Sequence, residues 1–374
     1  MKKRFTSLLC LLALICTLFS GCGQGAPAES TAPVASAAAP ESGAPAETRE
    51  FTDSCGRTVA LPAEIKKIAV SGPLTQVYLF PLCPELFAGF SSSFSEDAAK
   101  YIPEEYLSLP ELGQLYGGKG TMDLEALLAA APDVVIDVGE AKGSIAEDLD
   151  ALTEQTGIPF VHVDATVATA PEAYLRLGEL TGKTEKAQAL SDWCRENYAM
   201  IEGMMAKVDA DGARKNIVYC LGDKGLNVLA QGSFHAETLN MLGHKVAELT
   251  EVVSSGLGNE VDAEQLILWN PDVIIFAPDS VYDSVGTDPV WQQLDAVKSG
   301  QFYKTPVGPY GWLASPPSVQ RYLGMLWLGT LLYPDYAEYD LQEKVTEYYG
   351  LFYGYELTDA DYAALTANSL PAEK

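Results

Sequence analysis

The sequence is poor in positive charge. Of its 374 residues only 24 are Lys or Arg, against 51 Asp or Glu, so the formal net charge is −27. Binding to nucleic acid requires clustered Lys and Arg that neutralise phosphates, and general adhesion to anionic lipid requires them as well. The charge balance therefore argues against a nucleic-acid partner and against a basic membrane-surface protein.

Histidine and paired cysteine are scarce too. The three histidines have no repeated spacing, and none of the seven cysteines forms a C-x-x-C pair, so neither a His-rich metal site nor a zinc or redox motif is expected. Cys55, Cys83, Cys194 and Cys220 lie beyond the N-terminal segment. The sequence leaves open whether these four form disulfides.

Long apolar runs are confined to the N-terminus. A basic start, Met1 to Arg4, precedes the apolar stretch from Leu8 to Phe19, which ends in Ser20-Gly21-Cys22. This stretch is too short for a comfortable membrane span, and small residues before a Cys resemble a bacterial lipoprotein signal. We predict a signal peptide over 1–21 and lipidation of Cys22; the alternative is an ordinary secretory peptide with an incidental Cys. Without an 18-residue apolar run downstream, a polytopic membrane protein is excluded.

The segment that follows the signal has almost no large apolar residues. Of the 28 residues from 23 to 50, 21 are Ala, Pro, Ser, Gly or Thr, and Val34 is the only large aliphatic one. Such a composition cannot bury enough apolar surface to fold. Residues 22–50 are therefore predicted to be a lipidated Cys and a disordered tether, so that a lipid anchor is the protein's attachment to the membrane.

The remainder has the alternating pattern of an α/β protein. Short runs rich in Val, Ile and Phe alternate with helical periodicity. The predicted strands are Lys67 to Ser71, Asp133 to Asp137, Phe160 to Val163, Asn216 to Cys220, Asp272 to Phe276 and Phe302 to Thr305. Their continuous apolar character is typical of parallel strands buried on both faces.

An internal repeat indicates two lobes of similar design. Residues 123–136 (DLEALLAAAPDVVI) and 262–275 (DAEQLILWNPDVII) are identical at seven of fourteen positions. In each copy we predict a helix capped by Asp123 or Asp262, stopped before a Pro, and followed by a buried strand. The alternative is chance similarity between two helix–strand units.

A long helical stretch separates the two halves of the repeat. Thr181 to Thr184 interrupts it, and an amphipathic pattern then runs from Glu185 to Val208, which would span roughly 36 Å as one helix. We therefore predict an N-terminal α/β lobe over 51–165, linking helices over 166–210, and a C-terminal α/β lobe with terminal helices over 211–374. The expected fold is two Rossmann-like lobes joined by one long helix, with a cleft between them.

These features together resemble a known family. The segments TDSCGRTVALPAEIKKIAVSGP (52–73), LCPELFAGF (82–90), both copies of the repeat, PVWQQLDAVKSGQFY (289–303) and FYGYELTDADY (352–362) are similar to the substrate-binding lipoproteins of ABC importers for iron–siderophore, haem and cobalamin complexes. The resemblance covers nearly all of 51–366. It implies an extracytoplasmic protein that captures a ferric siderophore or haem and delivers it to a permease dimer with its cytoplasmic ATPase. It implies neither an enzyme nor a cofactor, and we expect a monomer.

In open α/β lobes, ligands bind beyond the carboxyl ends of the strands. Those positions correspond here to the loops 72–76, 116–120, 139–142, 232–235 and 307–313. Aromatic side chains suit large flat ligands, and a Lys or His suits an anionic or metal-bound edge. The predicted ligand-binding residues are Gln76, Tyr116, Lys119, Ser233, Phe234, His235, Tyr310 and Trp312. Core packing is an open alternative for Tyr310 and Trp312, and a backbone-satisfied helix start for His235.

Glu125 and Glu264 occupy equivalent places in the repeat. Each lies in the first turn of a predicted helix, where the helix dipole alone would favour a carboxylate. The family resemblance implies a further role, since one exposed Glu on each lobe pairs with arginines of the permease dimer. We therefore assign Glu125 and Glu264 to permease docking, with local stability as the alternative.

Other functions remain to be weighed against this interpretation. The string from Gly113 to Thr121 approaches a P-loop but has Gly120 where a Ser or Thr should bind Mg²⁺, so we interpret it as a cleft loop. Within the family, the ligand could instead be a corrinoid or an oxyanion such as molybdate. A surface enzyme or metal-chelate processing factor would need a nucleophile–base pair, which the sequence does not offer. The two-lobed repeat also argues against a purely structural lipoprotein.

Overall fold

The computed structural model of the protein describes residues 47–116, 121–244 and 247–371. The predicted signal peptide, Cys22, most of the predicted tether and Lys119 lie outside these residues. Within the described ranges, every helix is too short or too polar to cross a membrane.

The described chain begins with an antiparallel hairpin of β1 (Thr48–Thr52) and β2 (Thr58–Pro62). The prediction that the tether extends to residue 50 was therefore wrong by three residues. Phe51 and Leu61 on the two strands are buried in the core, and this burial orders the polar residues that precede Phe51. The turn is closed by Asp53, which lies 2.6 Å from the Arg57 guanidinium.

The N-terminal lobe contains a three-stranded parallel sheet in the order β3-β4-β5. Its strands are β3 (Ile68–Val70), β4 (Val134–Gly139) and β5 (Phe160–Asp164), which confirms the three strands predicted here. The helices are α1 (Pro73–Leu79), α2 (Glu96–Ala99), α3 (Leu124–Ala130) and α4 (Ile145–Thr156). Nearly every strand residue is buried, as expected of a sheet covered on both faces.

Two consecutive helices leave this lobe. Helix α5 (Ala170–Thr181) ends at Gly182, whose φ of 76° supplies the left-handed conformation that terminates it. Helix α6 (Thr184–Ala210) then runs for 27 residues, about 40 Å. The predicted break and the predicted long helix are therefore both present.

The C-terminal lobe has a five-stranded sheet in the order β10-β9-β6-β7-β8. Its strands are β6 (Ile217–Leu221), β7 (Asn227–Val228), β8 (Asn259–Glu260), β9 (Val273–Phe276) and β10 (Phe302–Lys304). The three predicted strands, β6, β9 and β10, are parallel to one another. Strand β7 pairs antiparallel with both β6 and β8, and β7 and β8, at two residues each, are too short to leave a sequence pattern. The helices are α7 (Glu237–Leu242), α8 (Ala263–Trp269), α9 (Tyr282–Val285), α10 (Asp295–Lys298), α11 (Arg321–Leu332), α12 (Leu341–Tyr353) and α13 (Asp359–Thr366).

The internal repeat is also a structural repeat at the starts of α3 and α8. Asp123 accepts hydrogen bonds from two backbone N–H groups at the start of α3, and Asp262 accepts one at the start of α8. Both helices end in a left-handed residue, Ala131 with φ 45° and Asn270 with φ 38°. These are the only non-glycine residues with positive φ in the described chain, so the same uncommon ending occurs at equivalent places.

The Asp that follows the Pro of each copy performs the same task in both lobes. Asp133 accepts hydrogen bonds from the backbone N–H groups of Lys66 and Lys67, at 2.7 and 2.8 Å, and Asp272 accepts one from Asn216 at 2.7 Å. Each carboxylate thus connects the end of its helix to the start of a parallel strand, β3 in the N-terminal lobe and β6 in the C-terminal lobe. The shared geometry makes chance similarity a poor explanation of the repeat.

One hydrophobic core is continuous across the lobes and the helices between them. It includes strand residues of both sheets and the inward faces of α6, α11 and α12. A hydrogen bond of 2.7 Å from the Tyr322 hydroxyl to the Val167 carbonyl crosses the same junction. Because this junction is packed, it fixes the positions of the strand ends on either side of the cleft.

Candidate functional site

The first wall of the candidate site is formed by Tyr116 and Lys142 of the N-terminal lobe, in two of the loops that were predicted to line the cleft. The Lys142 ammonium lies 3.8 Å from the centroid of the Tyr116 ring, a cation–π contact. Burial lowers the pKa of Lys142 and, with nearby carboxylates, raises that of Tyr116 to about 12, so the phenol is neutral at physiological pH. The Tyr116 hydroxyl is buried and has no hydrogen-bond partner among the described residues.

The second wall is a 3₁₀ turn of the C-terminal lobe, Phe234–Ala236. The Phe234 N–H donates to Ser254 Oγ at 3.2 Å, which attaches the turn to the loop before β8. The prediction that Ser233 contacts ligand is not supported, since it is buried and its hydroxyl accepts the Ala236 N–H at 3.2 Å. Ser233 caps the turn and so places Phe234 and the residue after it.

Arg321 supports this wall from below and was not predicted. It is fully buried (0% exposed), its guanidinium lies 4.6 Å from the Phe234 ring centroid, and it donates to the Phe234 carbonyl at 3.0 Å. One terminal nitrogen is 2.8 Å from Glu237 Oε2, while the other has no partner within the described chain. A sequence signal existed, because Arg321 is the only charged residue of the largely apolar helix α11 and a buried charge requires a partner.

His235 lies where the two walls approach one another. Burial, followed by the positive charges of Arg321 and Lys142, lowers its pKa to about 4. The imidazole is therefore neutral at physiological pH, and Nδ1 has no hydrogen-bond partner in the described ranges. The alternative of a histidine satisfied by the local backbone is not supported.

Gln76 and Tyr310 join the lobes directly. Gln76 lies in helix α1 and not in a loop, and its amide nitrogen donates to the Tyr310 hydroxyl at 3.0 Å. The Gln76 side chain is buried and fully engaged with protein, so its assignment as a ligand contact is corrected to a support for Tyr310. Tyr310 itself is half-buried and packs on Phe94, with ring centroids 6.0 Å apart.

Trp312 does not line the cleft. Its side chain is completely buried (0% exposed) within the shared hydrophobic core, beneath α11. The alternative of core packing, left open from the sequence, is therefore the correct one, because a side chain without accessible surface cannot contact a ligand. The close approach of the Trp312 backbone explains why a Gly is required at 324, where a Cβ would lie 2.3 Å from the Trp312 carbonyl oxygen.

A buried polar network behind the first wall was missed by the sequence. Asp137 on β4 accepts a short hydrogen bond from Ser71 and lies 2.7 Å from His162 Nδ1 on β5. The Ser71 carbonyl accepts the Leu115 N–H at 2.7 Å, which holds the chain leading to Tyr116. An Asp at the end of the apolar strand DVVID was the available signal, since a buried carboxylate must find donors.

Both predicted docking glutamates lie on the surface. Glu125 on α3 and Glu264 on α8 are exposed. Each shares its helix with an exposed leucine, Leu128 (49% exposed) or Leu268 (78% exposed). Leu268 is four residues from Glu264 and Leu128 three from Glu125, so each pair lies on one helix face.

No group of three or more potential metal ligands occurs among the described residues. Two depressions lie elsewhere: a cavity of about 30 Å³ beside Asn216 and Trp269, and an open groove of about 660 Å³ along α12, lined by acidic and polar side chains. Neither contains the residues of the two walls. The four cysteines at 55, 83, 194 and 220 are free thiols.

The model of the periplasmic binding protein family matches residues 91–307, more than half of the chain. The chain belongs to this family. It is thus a periplasmic solute-binding protein of the ABC transporter type, and the expectations of a two-lobed α/β fold and of a transport protein are confirmed. The family is one of extracytoplasmic binding proteins and not of enzymes.

Relatives of this periplasmic binding protein cover nearly its whole folded part. The Fe(3+)-citrate-binding protein YfmC of Bacillus subtilis is 21% identical over 307 residues, 81% of this chain and 89% of the relative. A solved ABC transporter solute binding protein from Sulfurospirillum deleyianum is 29% identical, with a TM-score of 0.78, covering 85% of this chain and 99% of that one. The molybdate-bound protein MolA of Haemophilus influenzae is 21% identical, with a TM-score of 0.66 and coverages of 83% and 99%; it shows the fold alone.

Proposed function

We propose that this periplasmic binding protein captures an anionic ferric complex, of the ferric citrate or siderophore kind, and delivers it to an ABC permease. The proposal depends on one observation above all: two cations, Lys142 and Arg321, lie near His235 in a protein whose net charge is −27. Burial, followed by the positive charges of Arg321 and Lys142 from opposite lobes, lowers the pKa of His235 to about 4. Lys142 is exposed and attracts an anionic ligand, whereas Arg321 is fully buried and paired with Glu237.

The aromatic side chains of the cleft fit the same class of ligand. Tyr116 and Phe234 each have a cation over one ring, at 3.8 and 4.6 Å, so charge and flat apolar surface are presented together. The neutral imidazole of His235 adds a donor or acceptor to this surface. A carboxylate-rich ferric complex offers negative oxygens at its periphery, and the Bacillus relative is named for binding Fe(3+)-citrate.

A binding screen on residues 23–374, which omit the proposed lipidated Cys22, tests the proposal. Tryptophan fluorescence is followed during titration with ferric citrate, a ferric siderophore, haem, a corrinoid and molybdate. We expect saturable quenching by a ferric complex, weakened about tenfold or more in Lys142→Met, because a charge-assisted contact contributes roughly 1.5–3 kcal/mol. Lys66→Met is the matched control, since its ammonium is exposed and pairs only with Glu64. Absence of binding by every ferric complex would refute the proposal.

Molybdate is the second candidate, favoured by unpartnered polar atoms in the cleft. Tyr116 OH and His235 Nδ1 have no partner in the described part of the chain. Polar groups of this kind suit a small oxyanion. Quenching by molybdate alone, with no response to ferric complexes, would decide for this candidate.

Attachment to the membrane through Cys22 completes the proposal. The signal-like segment ends in Cys22, and the residues up to 46 have the composition of a tether. Lipidation predicts that Cys22→Ala releases the protein from membranes and abolishes incorporation of radioactive palmitate, with Cys55→Ala as the control. Retention of both label and membrane association in Cys22→Ala would contradict it.

Glu125 and Glu264 are proposed to dock the two permease subunits. Both are exposed and occupy equivalent places of the structural repeat, so a symmetric dimer can bind them alike. The double variant Glu125→Lys/Glu264→Lys should bind ligand normally and lose uptake, whereas Glu50→Lys/Glu260→Lys is a charge-matched control at two other exposed glutamates. Normal uptake in the first double variant would refute the docking assignment.

A further inference from the structure

The side chain of Gln76 has only one possible orientation. Its amide oxygen lies 2.8 Å from the backbone nitrogen of Ser91 and 2.8 Å from Ser91 Oγ. A backbone N–H can only donate, so the atom facing Ser91 must be the oxygen. The amide nitrogen must therefore face the Tyr310 hydroxyl, 3.0 Å away.

This orientation fixes the role of the Tyr310 hydroxyl. An amide NH₂ can only donate, so the phenol oxygen accepts from Gln76. The phenol's own hydrogen remains available, and the described residues include no acceptor for it. Tyr310 is half-buried and in contact with Phe94. Its hydrogen is thus left for an acceptor from outside the described residues.

We infer that Ser91 and Gln76 are positioning residues, which turn the neutral phenol of Tyr310 into a hydrogen-bond donor to an oxygen of the bound complex. The inference rests on the proposed function, because it concerns the same cleft. It specifies the ligand further: the complex must present a carboxylate, catecholate or oxo oxygen at Tyr310. It also makes Tyr310 a contact to the outer oxygens of the complex and not a phenolate ligand of the iron.

The surroundings of Tyr310 agree with this role. Burial raises the pKa of its hydroxyl well above the ordinary value, and the Gln76 hydrogen bond offsets this only in part. Besides Phe94, the nearby Tyr353 adds a second uncharged aromatic group. Among the described residues, a phenolate at Tyr310 would therefore lack the positive partner that a buried anion requires.

The test is a double-mutant cycle with ferric citrate as the probe. In Gln76→Glu the carboxylate still accepts from Ser91 but must accept from Tyr310 as well, so the phenol hydrogen is no longer offered to the ligand. We expect the Kd to rise about 10- to 100-fold, as for Tyr310→Phe, because each removes a hydrogen bond to a charged acceptor. The double variant should be no weaker than either single variant, since both remove the same bond.

Ser91→Ala is the matched control. It removes one donor to Gln76 but keeps the backbone N–H that dictates the amide orientation, so the Kd should change less than about threefold. Gln76→Met covers the case in which Gln76→Glu unfolds, as judged by circular dichroism. It leaves the Tyr310 hydrogen free for the ligand, and it should weaken binding less than Tyr310→Phe does.

Two results would overturn the inference while leaving the proposed function intact. The first is additive losses in the cycle. The second is a visible iron–phenolate charge-transfer band of the wild-type complex that disappears in Tyr310→Phe. Failure of the wild type to bind ferric citrate would overturn the inference together with the proposed function.

Discussion

Replacing Arg321 tests whether its buried ion pair stabilises the protein and supports Phe234. We consider the change Arg321→Met, which preserves an unbranched apolar stem and removes the guanidinium. The lost contacts are the ion pair to Glu237 at 2.8 Å and the hydrogen bonds to the carbonyls of Phe234 at 3.0 Å and Ser318 at 3.2 Å. The stacking on the Phe234 ring, at 4.6 Å, is lost as well.

The magnitude follows from what these partners become. Breaking a buried ion pair by removing one member destabilises a protein by roughly 3–5 kcal/mol, because the other charge is left uncompensated. Glu237 retains partial compensation, since its other oxygen accepts the Val167 N–H at 3.0 Å and its side chain is 28% exposed. We therefore expect the free energy of unfolding to fall by about 3 kcal/mol, at the lower end of that range.

Urea unfolding at pH 7 measures this change, and titration with ferric citrate measures its effect on binding. Arg321→Lys keeps the charge but loses the planar fork, so it should recover only part of the stability. Combining Arg321→Met with Glu237→Gln should destabilise by less than the sum of the single variants, because each one already breaks the pair. A loss below about 1 kcal/mol in Arg321→Met, or strict additivity, would refute the pairing and its support of Phe234.

Three further predictions concern single side chains. Because burial and the charges of Arg321 and Lys142 lower the pKa of His235 to about 4, the unfolded chain binds a proton there that the folded protein does not. The free energy of unfolding should therefore fall as the pH falls from about 6.5 to 4, by an amount on the order of 2 kcal/mol. Urea unfolding at pH 4.5 should show that His235→Gln abolishes this loss, and an unchanged pH dependence in that variant would contradict the prediction. Leu268→Gln should reduce uptake while leaving unfolding and ligand affinity unaltered, since Leu268 is 78% exposed beside a proposed docking glutamate; equal uptake would exclude it from docking. Asp262→Ala should lower the free energy of unfolding, measured in urea, by about 1 kcal/mol, because it removes the cap of α8. Asp262→Asn keeps the hydrogen-bond acceptor and should lower it much less. Equal losses in the two variants would indicate that the carboxylate acts through its charge and not as a cap.

The local architecture of this protein was determined by the sequence alone. The six parallel strands, the long helix α6 and the duplicated helix–strand unit all followed from apolar periodicity and from Asp, Pro and Gly at helix ends, because these signals act over a few neighbouring residues. The hairpin of β1 and β2 was missed, since its polar residues are ordered by the pairing of the two strands and by the burial of Phe51.

The roles of the cleft side chains were decided only by tertiary structure. The sequence placed Trp312, Tyr310 and Gln76 alike near strand ends, yet burial assigned Trp312 to the core and the interlobe hydrogen bond made Gln76 the support of Tyr310. Arg321 reaches the cleft because α11 packs beneath a turn 87 residues earlier in the chain. Local patterns specify where helices and strands form, but a side chain's exposure and partners depend on contacts between distant segments, which no short stretch of sequence encodes.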